Sequence, residues 1–338
     1  MKKFFWQYLL LLLLFSAVLY AANIYFSQSG VDASADKGNG AHPFSVQVVL
    51  KARANPPDFW RIVEQGLEMG ADEFNVSCEV TGPSQENDID GQIELIRTAI
   101  AKKPDALILA ACDYERTAPV CAEAVAAGIR LIMLDSDVDF AQKSCFVGTD
   151  NYELGQKLGA LVEETLSPGD SFGVVGHVAT SFTAIERRRG LLDSVSDSEN
   201  RLAALAYCEG SEKLAQEQAV QMLTEHPDIR CMAGLNESSA LGICAALEEL
   251  ELSGQVRMVT CDSSESQIKY MERGTIQAFV IQNPFNMGYL SMQAAVLILQ
   301  GKKVDAHINT GSVVVTRETM RRTENQKLLF PFTDTTQG

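Results

Sequence analysis

Residues 259–304 read VTCDSSESQIKYMERGTIQAFVIQNPFNMGYLSMQAAVLILQGKKV, and the order of signals in this stretch decides the fold. Two short apolar, β-branched runs, Val256 to Thr260 and Ile276 to Ile281, flank a helix-like segment that carries Ile268 and Met271 and stops at Gly274. That is a β-α-β pattern. Asn283 and Pro284 then end any ladder, because proline has no N–H to donate. The spacing of Met287, Leu290, Ala294, Leu297 and Ile298 starts a new helix that ends at Gly301. Asp262 and Gln282 therefore each fall just past the carboxyl end of a strand, where open α/β sheets bind ligands. They are hydrogen-bonding groups at the mouth of a sheet, and no catalytic set accompanies them.

Outward from this stretch the same alternation runs through the chain. Apolar strand runs at Phe44 to Leu50, Glu73 to Val80, Ala106 to Ala110, Ile129 to Leu134 and Cys145 to Val147 are spaced by helical patterns through Glu64 and Met69, Ile89 to Ala101 and Ala118 to Ala127. A second series follows, with strands at Ser171 to Val175, Ala203 to Tyr207, Arg230 to Ala233 and Val256 to Thr260, and helices at Tyr152 to Leu166, Ile185 to Ser194, Leu214 to Thr224 and Ala240 to Leu250. Strands separated by helices of this length give parallel, doubly wound sheets. The doubling predicts an α/β chain of two such lobes with a cleft between them, which also suits its length.

Met1, Lys2 and Lys3 precede an uncharged stretch from Phe4 to Phe26, long enough to cross a bilayer as a helix. Residues 1–26 are thus a signal anchor or a signal peptide, and the chain is expected outside the cytoplasm, anchored in the membrane or secreted. The positions before Ala22 and Asn23 lack the small residue that cleavage wants, which favours an uncleaved anchor. Protein extracted from membranes then starts near Met1 by mass spectrometry; a terminus near Ala22 or Asn23 would show cleavage. Residues 27–43, rich in serine, glycine and aspartate, read as a flexible linker.

The net charge of −16 argues against nucleic acid or anionic lipid as partners. Eight cysteines form no C-x-x-C pair and sit mostly in apolar runs, as small buried hydrophobes would, with one disulfide as the alternative. The four histidines, His42, His177, His226 and His307, make no metal-ligand spacing. Neither a phosphate-binding glycine motif nor a G-x-S-x-G elbow occurs. No enzyme activity, cofactor or metal is expected.

The strings D-S-S at Asp262 and Q-N-P-x-x-M-G-Y from Gln282 resemble the type I periplasmic sugar-binding proteins of the ribose- and galactose-binding kind, and the resemblance extends from Val46 to Thr316. It implies a type I periplasmic-binding-protein fold, two lobes joined by a three-segment hinge. Residues 44–148 with 283–308 form the amino-terminal lobe, 149–282 with 309–322 the carboxyl-terminal lobe, and 323–338 a polar, peripheral tail. The repressors that share this fold carry a helix-turn-helix ahead of it; here a membrane segment stands in that place.

The same resemblance suggests the ligand set. N-P-x-x-F-W, from Asn55 to Trp60, is similar to the family's N-P-F-[FW], in which the asparagine meets sugar hydroxyls and aromatics such as Phe59 and Trp60 stack on the ring. A sugar has an apolar C–H face and a rim of hydroxyls, so it needs both. Asp113 and Asp135 follow strands, and Asp135 resembles the family's cleft aspartate, with Ser136 standing where relatives often have arginine. The other reading of Asp113 is a helix cap, of Asp135 a turn residue, and of Phe59 and Trp60 a hydrophobic staple. Arg61 and Arg187 match W-R and I-[DE]-R of furanose-binding members, or pair with carboxylates on a solvated helix face. Asn236 matches N-[DE]-x-x-A-x-G, and Asp262 and Gln282 complete the set. The implied function is capture of a monosaccharide or related polyol by a monomer that delivers it to an ABC permease. The alternative is a membrane-anchored sugar sensor that presents its closed form to a histidine kinase or similar receptor.

Overall fold

Two six-stranded sheets with the same internal order carry residues 43–53 and 58–329, which a computed structural model of the chain describes. The first sheet holds β1 (Ser45–Val49), β2 (Ser77–Thr81), β3 (Ala106–Leu109), β4 (Arg130–Leu134), β5 (Cys145–Gly148) and β11 (His307–Asn309), in the order β11-β5-β4-β3-β1-β2. All its pairings are parallel. The second holds β6 (Ser171–Gly176), β7 (Leu202–Tyr207), β8 (Ile229–Gly234), β9 (Arg257–Cys261), β10 (Ala278–Ile281) and β12 (Val313–Thr316), in the order β12-β10-β9-β8-β6-β7. Four of its pairings are parallel, but β12 runs antiparallel to β10. The alternation of the sequence anticipates parallel strands and not this one. β11 runs out at the carboxyl edge of the first sheet, so the chain enters the second sheet from its carboxyl edge and runs backwards along it.

Side-chain alternation explains why each sheet is covered on both faces. In the first lobe Val46, Val48, Ile108, Ile132 and Leu134 pack under α1 (Asp58–Phe74) and α10 (Pro284–Leu299). Their neighbours Val49, Leu107, Leu109, Leu131 and Met133 point the other way, under α2 (Ile89–Ala101) and α3 (Ala118–Ala126). In the second lobe Phe172, Val174, Cys231, Val259 and Val280 pack under α4 (Asn151–Glu163) and α5 (Phe182–Asp193). The short α6 (Ser198–Arg201) leads into β7, and the opposite face lies under α7 (Glu212–Glu225), α8 (Glu237–Glu249) and α9 (Glu265–Arg273). All eight cysteines are free, and burial pushes the Cys78 and Cys208 thiols up to about 11, so they stay protonated and apolar.

Each lobe closes one helix pair by direct backbone contact. A Cβ on Gly66 of α1 would lie 2.1 Å from the Phe285 carbonyl of α10, and one on Gly288 2.1 Å from that of Val63. The second lobe repeats the device: a Cβ on Gly155 would meet the Arg187 carbonyl at 2.2 Å, and one on Gly190 that of Tyr152 at 2.1 Å. Gly288→Ala is therefore expected to push α10 from α1 and destabilise the fold by about 1–3 kcal/mol, read from denaturant midpoints.

The chain passes between the sheets after β5, after β10 and between β11 and β12. The segment after Arg322, read above as a peripheral tail, instead forms α11 (Thr323–Leu329), whose Leu329 packs into the second lobe's core while Asn325 Nδ2 donates to the Thr319 carbonyl. The rest of that segment, and the stretch from Phe4 to Phe26, lie outside the described residues. Among the described residues no helix is long and apolar enough to cross a membrane.

Candidate functional site

Residues just beyond the carboxyl ends of strands in both sheets meet around one cleft. Lys51 follows β1, Glu86 lies beyond β2 and Asp135 follows β4. From the second lobe His177 follows β6, Asn236 and Glu237 follow β8, Asp262 follows β9 and Gln282 follows β10. Phe59 and Trp60 of α1, with Thr183 and Arg187 of α5, complete the wall.

Asp135 and Asp262 occupy the same place in their two sheets, each after the third strand in the order, and each has a left-handed backbone, with φ of 60° and 68°. Aspartate tolerates this conformation better than most residues. Asp135 is 3% exposed; its Oδ2 lies 3.9 Å from Lys51 Nζ, and its Oδ1 has no partner among the described residues. Burial outweighs Lys51 and Arg187 and lifts its pKa to about 6. Asp262 Oδ1 accepts from Gln282 Nε2 at 2.7 Å and its Oδ2 accepts from the Glu237 N–H at 3.1 Å, at the amino end of α8. This fixes the Gln282 amide, whose Oε1 is buried without a partner among the described residues. Asn236 caps α8, its Oδ1 accepting from the Ser239 N–H at 2.9 Å, which leaves the Nδ2 amide as its donor towards the cleft.

The cations are held by protein. Lys51 Nζ, 2% exposed, donates to Thr183 Oγ1 of the other lobe at 3.2 Å. Arg187 donates from Nε to Asn151 Oδ1 and from Nη1 to the Leu235 carbonyl, both at 2.8 Å. Burial, and then the nearby Lys51 and Arg187, hold the His177 pKa well below the usual range, so its ring is neutral. Its Nε2 lies 2.9 Å from Thr183 Oγ1 and 3.0 Å from Ser181 Oγ. Ser181 does not line the cleft and caps α5 through the Ala184 N–H, so the serine–histidine contact is a structural one.

Trp60 is 2% exposed and belongs to the first lobe's core, with one edge on the cleft; its Nε1 donates to Glu86 Oε1 at 2.9 Å, and the half-buried Phe59 meets it edge-on at 5.0 Å. The structure therefore brings Phe59, Trp60, Asp135, Arg187, Asn236, Asp262 and Gln282 together. Asn55 lies outside the described residues. Three expected residues stand away from the cleft. Arg61 is exposed on α1, one helical position past Trp60 and turned off its face. Asp113 is spent on its own turn, Oδ1 accepting from the Glu115 and Arg116 N–H groups at 2.9 and 2.7 Å, because backbone donors two and three residues on are the nearest available. Ser136 is fully buried and does not line the cleft. Tyr207, at the end of β7, accepts from Arg188 Nη1 at 2.8 Å and does not line the cleft.

Lys51, Glu86, His177, Thr183 and Glu237 were missed. Lys51 and His177 follow the equivalent first strands of the two lobes, so the rule that picks Asp135 also finds them. Glu86 has no local signal; only the fold brings its loop beneath Trp60.

A raised carboxyl pKa means that the folded state holds the Asp135 proton more tightly than the unfolded one, whose value is near 3.8. Its favourable contribution is full below about 4 and is lost as pH rises through about 6. Wild type should therefore lose stability relative to Asp135→Asn between those pH values, read as a difference in melting temperature. A difference that stays flat with pH contradicts the assignment.

The chain matches the periplasmic binding protein domain family over residues 46–303. It is 27% identical over 300 residues to the D-ribose/D-allose-binding protein of Pseudomonas aeruginosa, covering 86% of this chain and 91% of that protein. It is 34% identical to a sugar transporter from Clostridium phytofermentans, with a TM-score of 0.77 over 81% of this chain and 99% of that one. A solute-binding protein of a carbohydrate transporter from Agrobacterium radiobacter, solved with D-arabinose, shares the fold at 24% identity and a TM-score of 0.81, covering 86% of this chain and all of that one (100%).

Proposed function

From the premise that this chain belongs to the periplasmic binding protein family, we propose that it is an extracytoplasmic receptor that captures a monosaccharide between its lobes and delivers it to the permease of an ABC importer. One observation carries the ligand class. Asp135 Oδ1 and Gln282 Oε1, one in each lobe, are buried acceptors with no protein donor among the described residues. Leaving such atoms unpaired costs about 1–3 kcal/mol each, so the cleft favours a molecule that brings hydroxyl donors to both sides at once. Phe59 and Trp60 supply an apolar wall for the C–H face of a ring, and Asn236 Nδ2 and Arg187 supply donors for its oxygens. The relatives support this choice, since the Pseudomonas protein is named for D-ribose and D-allose and the Agrobacterium protein was solved with D-arabinose.

A ligand that contacts both lobes binds the closed arrangement better than the open one and shifts the population towards it. The permease then reads the closed shape. Thermal shift of the purified protein against a panel of pentoses and hexoses tests the reading: a ligand at 100 times its dissociation constant adds about 2.7 kcal/mol. A panel in which no sugar moves the melting temperature would overturn it.

A further inference from the structure

We infer that sugar affinity is set in part by an aromatic clasp that joins the lobes outside the binding site, with Phe182 as its anchor. The inference rests on the two-lobe capture proposed above. Phe182 opens α5 in the second lobe, yet it packs against the core cluster of the first lobe, beside Val138 and Phe146. Its ring stacks on that of Tyr114 with centroids 5.7 Å apart and planes 27° from parallel, and it meets Phe146 edge-on at 6.0 Å. The backbone fastens the same place, since the Tyr114 N–H donates to the Thr180 carbonyl across the lobes at 2.9 Å. Tyr114 is itself held within its own lobe, its carbonyl accepting from the Asp139 N–H at 2.8 Å.

Neither Tyr114, Phe146 nor Phe182 lines the sugar cleft. The clasp nonetheless sits one residue from Thr183, which accepts from Lys51 across that cleft. Separating the lobes breaks these contacts and exposes the Phe182 ring; closing restores them. Contacts made only in the closed arrangement raise its population and so tighten any ligand that prefers it, without touching the ligand. Phe182 and Tyr114 are positioning residues in this account: they act through the lobe–lobe equilibrium.

The test titrates D-ribose, D-allose and D-arabinose into wild type, Phe182→Ala, Tyr114→Ala and the double variant, and measures small-angle scattering of each without sugar. Loss of a stacked aromatic pair and its burial is expected to weaken binding about tenfold or more, chiefly through faster dissociation. The double variant should lose little more than the worse single variant, because the two rings form one contact across the lobes. Its ligand-free radius of gyration should exceed that of wild type, while Phe182→Leu, which keeps an apolar plug, should recover most of the affinity. Affinities within twofold of wild type in both alanine variants would overturn the inference, as would additive losses with melting temperatures lowered in proportion. If wild type binds none of the three sugars, the capture reading fails for these probes and scattering alone decides. Expansion of Phe182→Ala relative to wild type then supports the clasp, and identical curves refute it.

Discussion

Trp60→Ala is expected to destabilise the protein by about 3–5 kcal/mol and to weaken sugar binding by more than tenfold. The two losses have different origins. Trp60 is almost wholly buried with Val63, Leu67 and Met287, so its removal opens a cavity that the close-packed α1 and α10 cannot fill. It also orphans Glu86 Oε1, which accepts the indole N–H, and removes an apolar wall of the cleft. Trp60→Phe keeps the wall and most of the volume but not the donor, so its affinity should stay closer to wild type while stability still drops. Chemical denaturation and calorimetric titration of both variants separate the effects. Equal affinity within twofold in Trp60→Ala, with stability lost, would confine Trp60 to the core. Only Trp6 and Trp60 occur in the chain, so protein freed of its first 43 residues reports from Trp60 alone, and its emission should change saturably with ligand.

Asp262→Ala is the second large effect, about 3 kcal/mol or more than a hundredfold in affinity. One side chain does three things here. Its charge accepts from Gln282 Nε2 and so aims the unpaired Gln282 Oε1 into the cleft; it accepts from the first N–H of α8; and it sits at a φ of 68°, where alanine is strained. Asp262→Asn keeps the left-handed backbone and one acceptor and should cost clearly less. Titration calorimetry of the two variants against a sugar that binds wild type checks this. An alanine variant that binds as tightly as the asparagine variant contradicts the role given to Gln282.

The stretch from Val259 to Val304 made the fold legible because it holds a whole βαβ unit together with the proline that sends the chain back to the first lobe. Parallel pairing in two lobes followed from alternation, whereas the strand order is a property of the folded sheets. The antiparallel β12 did not, since an edge strand of four residues looks the same in either direction. Among site residues, Asp135, Asp262 and Gln282 were readable because each follows an apolar strand, and the same rule also covers Lys51 and His177. The rule failed at Asp113, where backbone N–H groups of the next turn took the carboxylate. It failed at Arg61 because W-R is a pattern in sequence, and on a helix adjacent residues face about 100° apart. Glu86 and Thr183 reach the cleft only through tertiary packing, against Trp60 and Lys51, and that information is distributed over the whole chain.

Asp135 Oδ1 and Gln282 Oε1 are proposed to take hydroxyl donors from one ligand held between the lobes. The crystal structure of the complex with the sugar that most raises the melting temperature tests it most directly. A single ring is expected in the cleft against Phe59 and Trp60, with hydroxyl oxygens about 2.5–3.0 Å from both atoms. A sugar bound elsewhere, or in the cleft with both acceptors still unpaired, would contradict it.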